Sequence, residues 1–155
     1  MAGAGVGLFA RYSSTLERWV QFGIVSGRVI KLDFLVDRPS EAGDTHPLLD
    51  RLERYLDKGE LLSFEDVEIA LTGPTSHRPV YDTLRQVPYG SEIDVQTLIE
   101  RSSRIQTLDE PKRIVHEAIG SNPVPILVPD HRVREVTARI DPEMRAALRN
   151  LEDLD

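Results

Sequence analysis

Cysteine is absent from all 155 residues, which removes disulfides, thiolate metal sites and thiol nucleophiles together. No apolar run approaches the ~18 residues of a membrane span, so no membrane partner is expected. The opening segment, MAGAGVGLFARYSS, has neither an early basic region nor a long apolar core. No secretion signal is read there, and the expected location is the cytoplasm. Lysine is scarce: of nineteen basic residues only Lys31, Lys58 and Lys112 are lysine. Beside 26 acidic residues, that bias fits a halophilic source, in which a solvated acidic surface maintains solubility. The alternative is a GC-rich genome that favours Arg codons. No P-loop, Rossmann fingerprint or zinc-ligand pair is present. His46, His77, His116 and His131 are too scattered to read as ligands and are expected mostly at the surface. No cofactor or metal is implied.

What is present is a chain long enough to bury roughly 70% of its unfolded surface, in one or two small domains. A net charge of −7 argues against indiscriminate binding of polyanions at low salt. The acidity is uneven, however. Residues 73–140 hold nine Lys/Arg and nine Asp/Glu, whereas residues 1–72 hold eight against twelve and residues 141–155 two against five.

The first half reads as α/β. Arg18 to Val36 has the pattern of a hairpin turning at Ser26-Gly27. Apolar residues at 48, 49, 52, 55 and 56 predict a helix over 47–58, and Gly59 suits its end. A short strand is predicted over 67–71, and Gly73-Pro74 then breaks the chain. The second half reads as mostly α. A helix over 79–86 ends at Pro88-Tyr-Gly90. Asp94 caps a helix through Arg101, and Asp109 caps another that tolerates Pro111 in its first turn and runs to Gly120. Two short helices joined by a loop suggest a helix-turn-helix. Asp141 starts a last helix that ends near Glu152. The domain boundary falls at about 72, giving domains of residues 1–72 and 73–155.

Two segments carry more than a fold pattern. The run Asn122-Pro-Val-Pro-Ile-Leu-Val-Pro-Asp-His-Arg-Val133 resembles the active-site segment of the O6-alkylguanine-DNA alkyltransferases. That family reads Asn-Pro, an apolar strand, then Pro-Cys-His-Arg-Val. Upstream, Val80-Tyr-Asp-Thr-Leu-Arg-Gln-Val-Pro-Tyr-Gly90 is similar to its Val-Trp-x-x-Leu-x-x-Ile-Pro-Tyr-Gly block. Arg113, nine residues before Asn122, stands where the family has its intercalating arginine. The resemblance is good over about residues 72–133. It implies a ribonuclease-H-like α/β N-terminal domain, with a three-stranded antiparallel sheet plus a helix, before a helical DNA-binding domain. The recognition helix would be residues 109–120. The chain would belong to a cysteine-less, alkyltransferase-like branch, haloarchaeal if the composition is read that way.

Asp130 stands at the nucleophile position. By resemblance, His131 is the proton-relay histidine, and Glu152 its glutamate partner through the Arg145, Leu148, Glu152 spacing. Asn122 organises the turn behind the active-site strand, while Tyr89 and Arg132 are structural residues at the site. Arg113 would fill the gap left by a flipped base, and Lys112, Arg101 and Arg104 would touch phosphate. The implied partners are double-stranded DNA bearing O6-alkylguanine and excision-repair proteins. Several departures count against full activity. Val95 replaces a tyrosine, Tyr81 stands for the Trp, and Ile114, His116 and Glu117 occupy a stretch that is small-residue in the family. Only Arg134 to Asp141 remain of the loop after His-Arg-Val. Three readings stay open: a lesion binder that does not transfer the alkyl group, an enzyme using Asp130, and a DNA-binding or interaction module without lesion preference. Asp130 could also simply pair with His131, Arg132 or Arg134, and Arg113 could be a solvated helix arginine.

Overall fold

The computed structural model describes residues 6–154. The first five residues of the segment read for a secretion signal, and Asp155, lie outside the described residues. The chain divides into two compact units, one up to Ala70 and one from Leu71.

The first unit holds a three-stranded antiparallel sheet in the order β1-β2-β3, with β1 Val6–Ser13, β2 Arg18–Val25 and β3 Arg28–Leu35. Ser26 and Gly27 join β2 to β3 with φ of 52° and 78°. Positive φ at both turn residues matches the right-handed twist of the flanking strands. The strand expected over 67–71 does not form. Ile69 makes only an isolated parallel bridge to Val29. Val29 N donates to Glu68 O and Ala70 N to Val29 O, both at 3.0 Å. The third strand is instead β1. α1, Pro47–Lys58, begins at His46, whose Nδ1 accepts from Leu48 N, and ends at Gly59 in the left-handed region. Its face of Leu49, Leu52, Tyr55 and Leu56 is buried, as are Val20, Phe22, Val29 and Leu32 of the sheet. Each such side chain contributes roughly 1.5–3 kcal/mol relative to exposure.

The second unit is mostly helical: α2 Arg78–Leu84, α3 Val95–Glu100, α4 Ser103–Gln106, α5 Pro111–Gly120 and α6 Pro142–Leu151. Asp94 caps α3 by accepting from Thr97 N, and Asp141 caps α6 by accepting from Met144 N. The cap expected at Asp109 is displaced. Pro111 disfavours helical backbone in the residue before it, and α5 starts at 111 with Glu110 as its cap at φ 53° and no side-chain hydrogen bond. α4, which the periodicity does not announce, is capped by Ser102. The apolar run 124–128 is not a strand either. Pro123, Pro125 and Pro129 lack the N–H a ladder needs, and the segment closes as a turn with a single Pro125–Val128 bridge. Among the described residues no helix is long and apolar enough to cross a membrane.

A buried polar cluster and an exposed basic helix face

Asn122 fastens the turn that carries Asp130. Its Oδ1 accepts from Val124 N at 3.0 Å, and its Nδ2 donates to Val128 O at 2.9 Å and to Asp130 Oδ2 at 3.0 Å. Inside the turn, Ile126 holds φ of 75°, a backbone that a β-branched residue adopts only under constraint. The chain then winds through one 3₁₀ turn, Asp130–Arg132. Arg134 N donates to Ile93 O and Ile93 N to Arg132 O, tying the exit of this turn to the segment before α3.

Asp130 is only 1% exposed. Its Oδ1 has no hydrogen-bond partner among the described residues. Burial pushes its carboxyl above the ordinary carboxylate range; the Asn122 hydrogen bond and the nearby His131, Arg145 and Arg139 offset this only in part. The carboxyl is therefore biased toward its neutral form. The pairing expected with His131, Arg132 or Arg134 does not form, because those side chains are engaged with other carboxylates.

His131 and Arg132 turn toward Glu152. His131 Nε2 lies 2.7 Å from Glu152 Oε2. Arg132 donates from Nε to Oε1 and from Nη2 to Oε2, both at 2.8 Å, and from Nη1 to Val87 O at 2.6 Å. Gly90 N donates to the same carboxylate at 3.0 Å. Tyr89 donates to Leu151 O at 3.2 Å, with its ring 5.9 Å from the Arg132 guanidinium. Burial, followed by the charge of Glu152, pushes the Tyr89 phenol up. Tyr-Gly, His-Arg and the glutamate at the end of α6 thus meet in one buried cluster. A charge buried this deeply needs a fork-like partner and further donors to offset its desolvation, and Glu152 has both. Arg149 Nη1 holds His131 O at 2.9 Å from one turn earlier in α6. Tyr81 ties α2 to α5 by donating to Ala118 O at 2.6 Å, and burial above all raises its phenol to about 12.

α5 turns Ile114, Val115, Ala118 and Ile119 inward. Of the three residues that stand where the family has small ones, Ile114 is therefore core packing and not part of the helix surface. Lys112, Arg113, His116 and Glu117 form the exposed face. Arg113 Nη1 donates to Glu117 at 2.6 Å, and its Nε lies 3.5 Å from Glu110. Arg101 and Arg104 are exposed, and Arg104 pairs with Asp82 at 3.2 Å. These cations do not converge on the Asp130 cluster: they line the outer surface, while Asp130, His131, Arg132 and Glu152 are internal. The histidines are less exposed than expected. His77 and His131 are buried and His46 is half-buried, leaving His116 on the surface. Among the described residues no group of three or more His, Cys, Asp or Glu is placed to hold a metal ion.

The sequence model of the 6-O-methylguanine DNA methyltransferase DNA-binding domain matches residues 75–152. A methylated-DNA–protein-cysteine methyltransferase of Methanopyrus kandleri is 32% identical over 96 residues, which is 61% of this chain and 68% of that protein. One from Haemophilus influenzae is 34% identical over 83 residues; the match spans 52% of this chain but only 42% of that protein's length. The crystal structure of Mycobacterium tuberculosis OGT in complex with DNA superposes with a TM-score of 0.73 at 25% identity, covering 94% of this chain and 92% of that one.

Proposed function

Since this chain belongs to the O6-methylguanine DNA methyltransferase family, we propose that its second unit binds duplex DNA, accepts an O6-alkylated guanine turned out of the stack, and leaves the alkyl group in place. One observation carries this reading: a buried, neutral-leaning Asp130 replaces the thiol inside an otherwise connected Asn122, His131 and Glu152 frame. Alkyl transfer by in-line displacement needs an electron-rich nucleophile, and the thiolate supplies it in the family. A carboxyl that burial shifts toward its neutral form is a poor substitute. As a neutral acid it offers a hydrogen-bond donor instead, and Oδ1 is an atom with no partner among the described residues. Asp130 then reads the lesion and does not react with it.

Arg113 would occupy the space vacated by the flipped base, exchanging its contacts with Glu117 and Glu110 for the stack. Lys112, Arg101 and Arg104 supply phosphate contacts, which makes binding weaken as salt rises. A protein that holds the lesion without repairing it serves as a mark for excision-repair proteins. A DNA-binding module without lesion preference is the second reading, favoured by the 1% exposure of Asp130. Use of Asp130 as an alkyl acceptor is the least supported, because burial shifts its carboxyl toward the neutral acid and its Oδ2 is bonded to Asn122. Competition between O6-methylguanine duplex and the same undamaged duplex, at several salt concentrations, separates these readings. The proposal expects a lesion preference at every salt concentration; equal affinity removes it.

A further inference from the structure

A cleft of about 590 Å³ in the second unit is lined by Glu92, Arg134, Glu135, Arg145 and Arg149. Three guanidiniums converge there for a reason visible in the chain. Arg145 and Arg149 are four apart on α6, hence on one helix face. Arg134 is delivered beside them by the Arg134 N to Ile93 O hydrogen bond. Their charges are unevenly matched. Glu92 is shared between Arg149 and Arg134, and Arg134 also reaches Asp94 at 3.2 Å. Arg145 donates only to main-chain oxygens, those of Asp130 and Val133. It is half-buried and has no carboxylate partner among the described residues, and burial holds it below the ordinary arginine value. Glu135 lines the cleft as an exposed carboxylate with φ of 60°.

A partly desolvated guanidinium that feels Asp130 and Glu92 only at a distance, with no carboxylate bonded to it, is costly to bury, and an anion entering the cleft relieves that cost. Planar forks of N–H donors match the oxygens of a phosphate group. We infer that the Arg134, Arg145 and Arg149 cleft is an anion site for a phosphate group, separate from the exposed face of α5. Arg145 and Arg149 hold the carbonyls of Asp130, Val133 and His131, so an occupant of the cleft is linked mechanically to the 3₁₀ turn that carries Asp130. The phosphate comes either from a DNA backbone, in which case the inference rests on the proposed function, or from a free phosphate or phosphorylated small molecule, in which case it does not.

The test is a titration of the full chain with inorganic phosphate against chloride at fixed ionic strength, read at the arginine Nε–H signals by NMR. The signals of Arg134, Arg145 and Arg149 should shift and saturate together with phosphate and not with chloride. Glu135→Gln, which removes an opposing exposed charge and leaves the fold's hydrogen bonds alone, should tighten phosphate binding about twofold to fivefold. Arg134→Gln should weaken it by a similar factor. Absence of saturation, or unchanged affinity in Glu135→Gln, overturns the site. Undamaged duplex then identifies the source. If it moves the same three signals and Arg134→Gln lowers the salt slope by about one, the site takes a backbone phosphate; if only inorganic phosphate moves them, it takes a free one. Lesion preference is measured on a different pair of duplexes, so its failure leaves this result standing.

Discussion

Replacing Asp130 by Asn should change how stability depends on pH more than it changes stability itself. Asp130 is 1% exposed, and burial raises its carboxyl above the ordinary 3.8. Above that ordinary value an unfolded chain releases this proton while the folded chain keeps it. The native state then binds more protons, and stability falls as pH rises, by at most about 1.4 kcal/mol per pH unit for one group. The fall ends when pH passes the raised native value. Asn cannot ionise. Its carbonyl oxygen can accept from Asn122 Nδ2, and its amide then occupies the place where Oδ1 has no partner among the described residues. Protonated Asp and Asn each leave one buried polar group unsatisfied, costing roughly 1–3 kcal/mol in either protein, so the two should be nearly equal in acid. His46 and His77, both lowered by burial, destabilise as pH falls, but identically in both proteins, and cancel in the difference. Urea unfolding followed at the amides of α5 by NMR, from about pH 4.5 to 8.5, measures that difference. Asp130→Asn should gain on the wild type as pH rises above the ordinary carboxylate value, until the raised native value is passed. A difference that is flat, or that moves toward the wild type as pH rises, would mean that Asp130 is an ionised, well-compensated carboxylate, and the neutral-acid reading would fail.

Arg113→Ala should weaken binding to lesion-bearing duplex about fivefold to a hundredfold, while Arg11→Ala, on the first unit and engaged with Asp50 and Glu53, should change it little. Equal effects in an anisotropy titration would contradict the assignment of Arg113. Glu152→Gln strips the charge from the centre of the buried cluster while Arg132 and His131 stay in place, and should cost about 3–5 kcal/mol of stability. A loss well under 1 kcal/mol in denaturant unfolding would show that the cluster is not ionised as described.

Much of the second unit is legible in the sequence because its signals are local. Asp94 and Asp141 sit at helix starts with the right spacing to the amides they cap. In the first unit the β2–β3 turn is legible for the same reason, because Ser26-Gly27 supplies the two positive-φ positions a tight hairpin needs. β1 is less legible. Its exposed residues include the apolar Leu8 and Tyr12, while Arg11 is partly buried against Asp50 and Glu53. Alternation is blurred where a polar residue faces inward to a charged partner. Residues 114, 115, 118 and 119 carry the inward period of α5, so the burial of Ile114 is legible in the chain. The 124–128 segment looks strand-like by apolar content, and its prolines decide otherwise. The Glu152 cluster joins residues 20 and 62 positions apart. The terminal-helix spacing hints at that glutamate, but nothing local reveals the Arg132 fork or the Gly90 amide. The neutral bias of Asp130 comes from tertiary burial, which no neighbouring residue in the chain announces.

The central claim is that the vacant thiol position binds without reacting. It is tested most directly by incubating the wild type, Asp130→Asn and Asp130→Cys with duplex carrying O6-methylguanine labelled in the methyl group, and following the label. The account predicts retention of all label on the DNA with the wild type and with Asp130→Asn. It predicts partial transfer to protein with Asp130→Cys, limited by Val95, which offers no hydroxyl, and by the short connection 134–141. Label on the wild-type protein that disappears in Asp130→Asn would make Asp130 an alkyl acceptor and contradict the account.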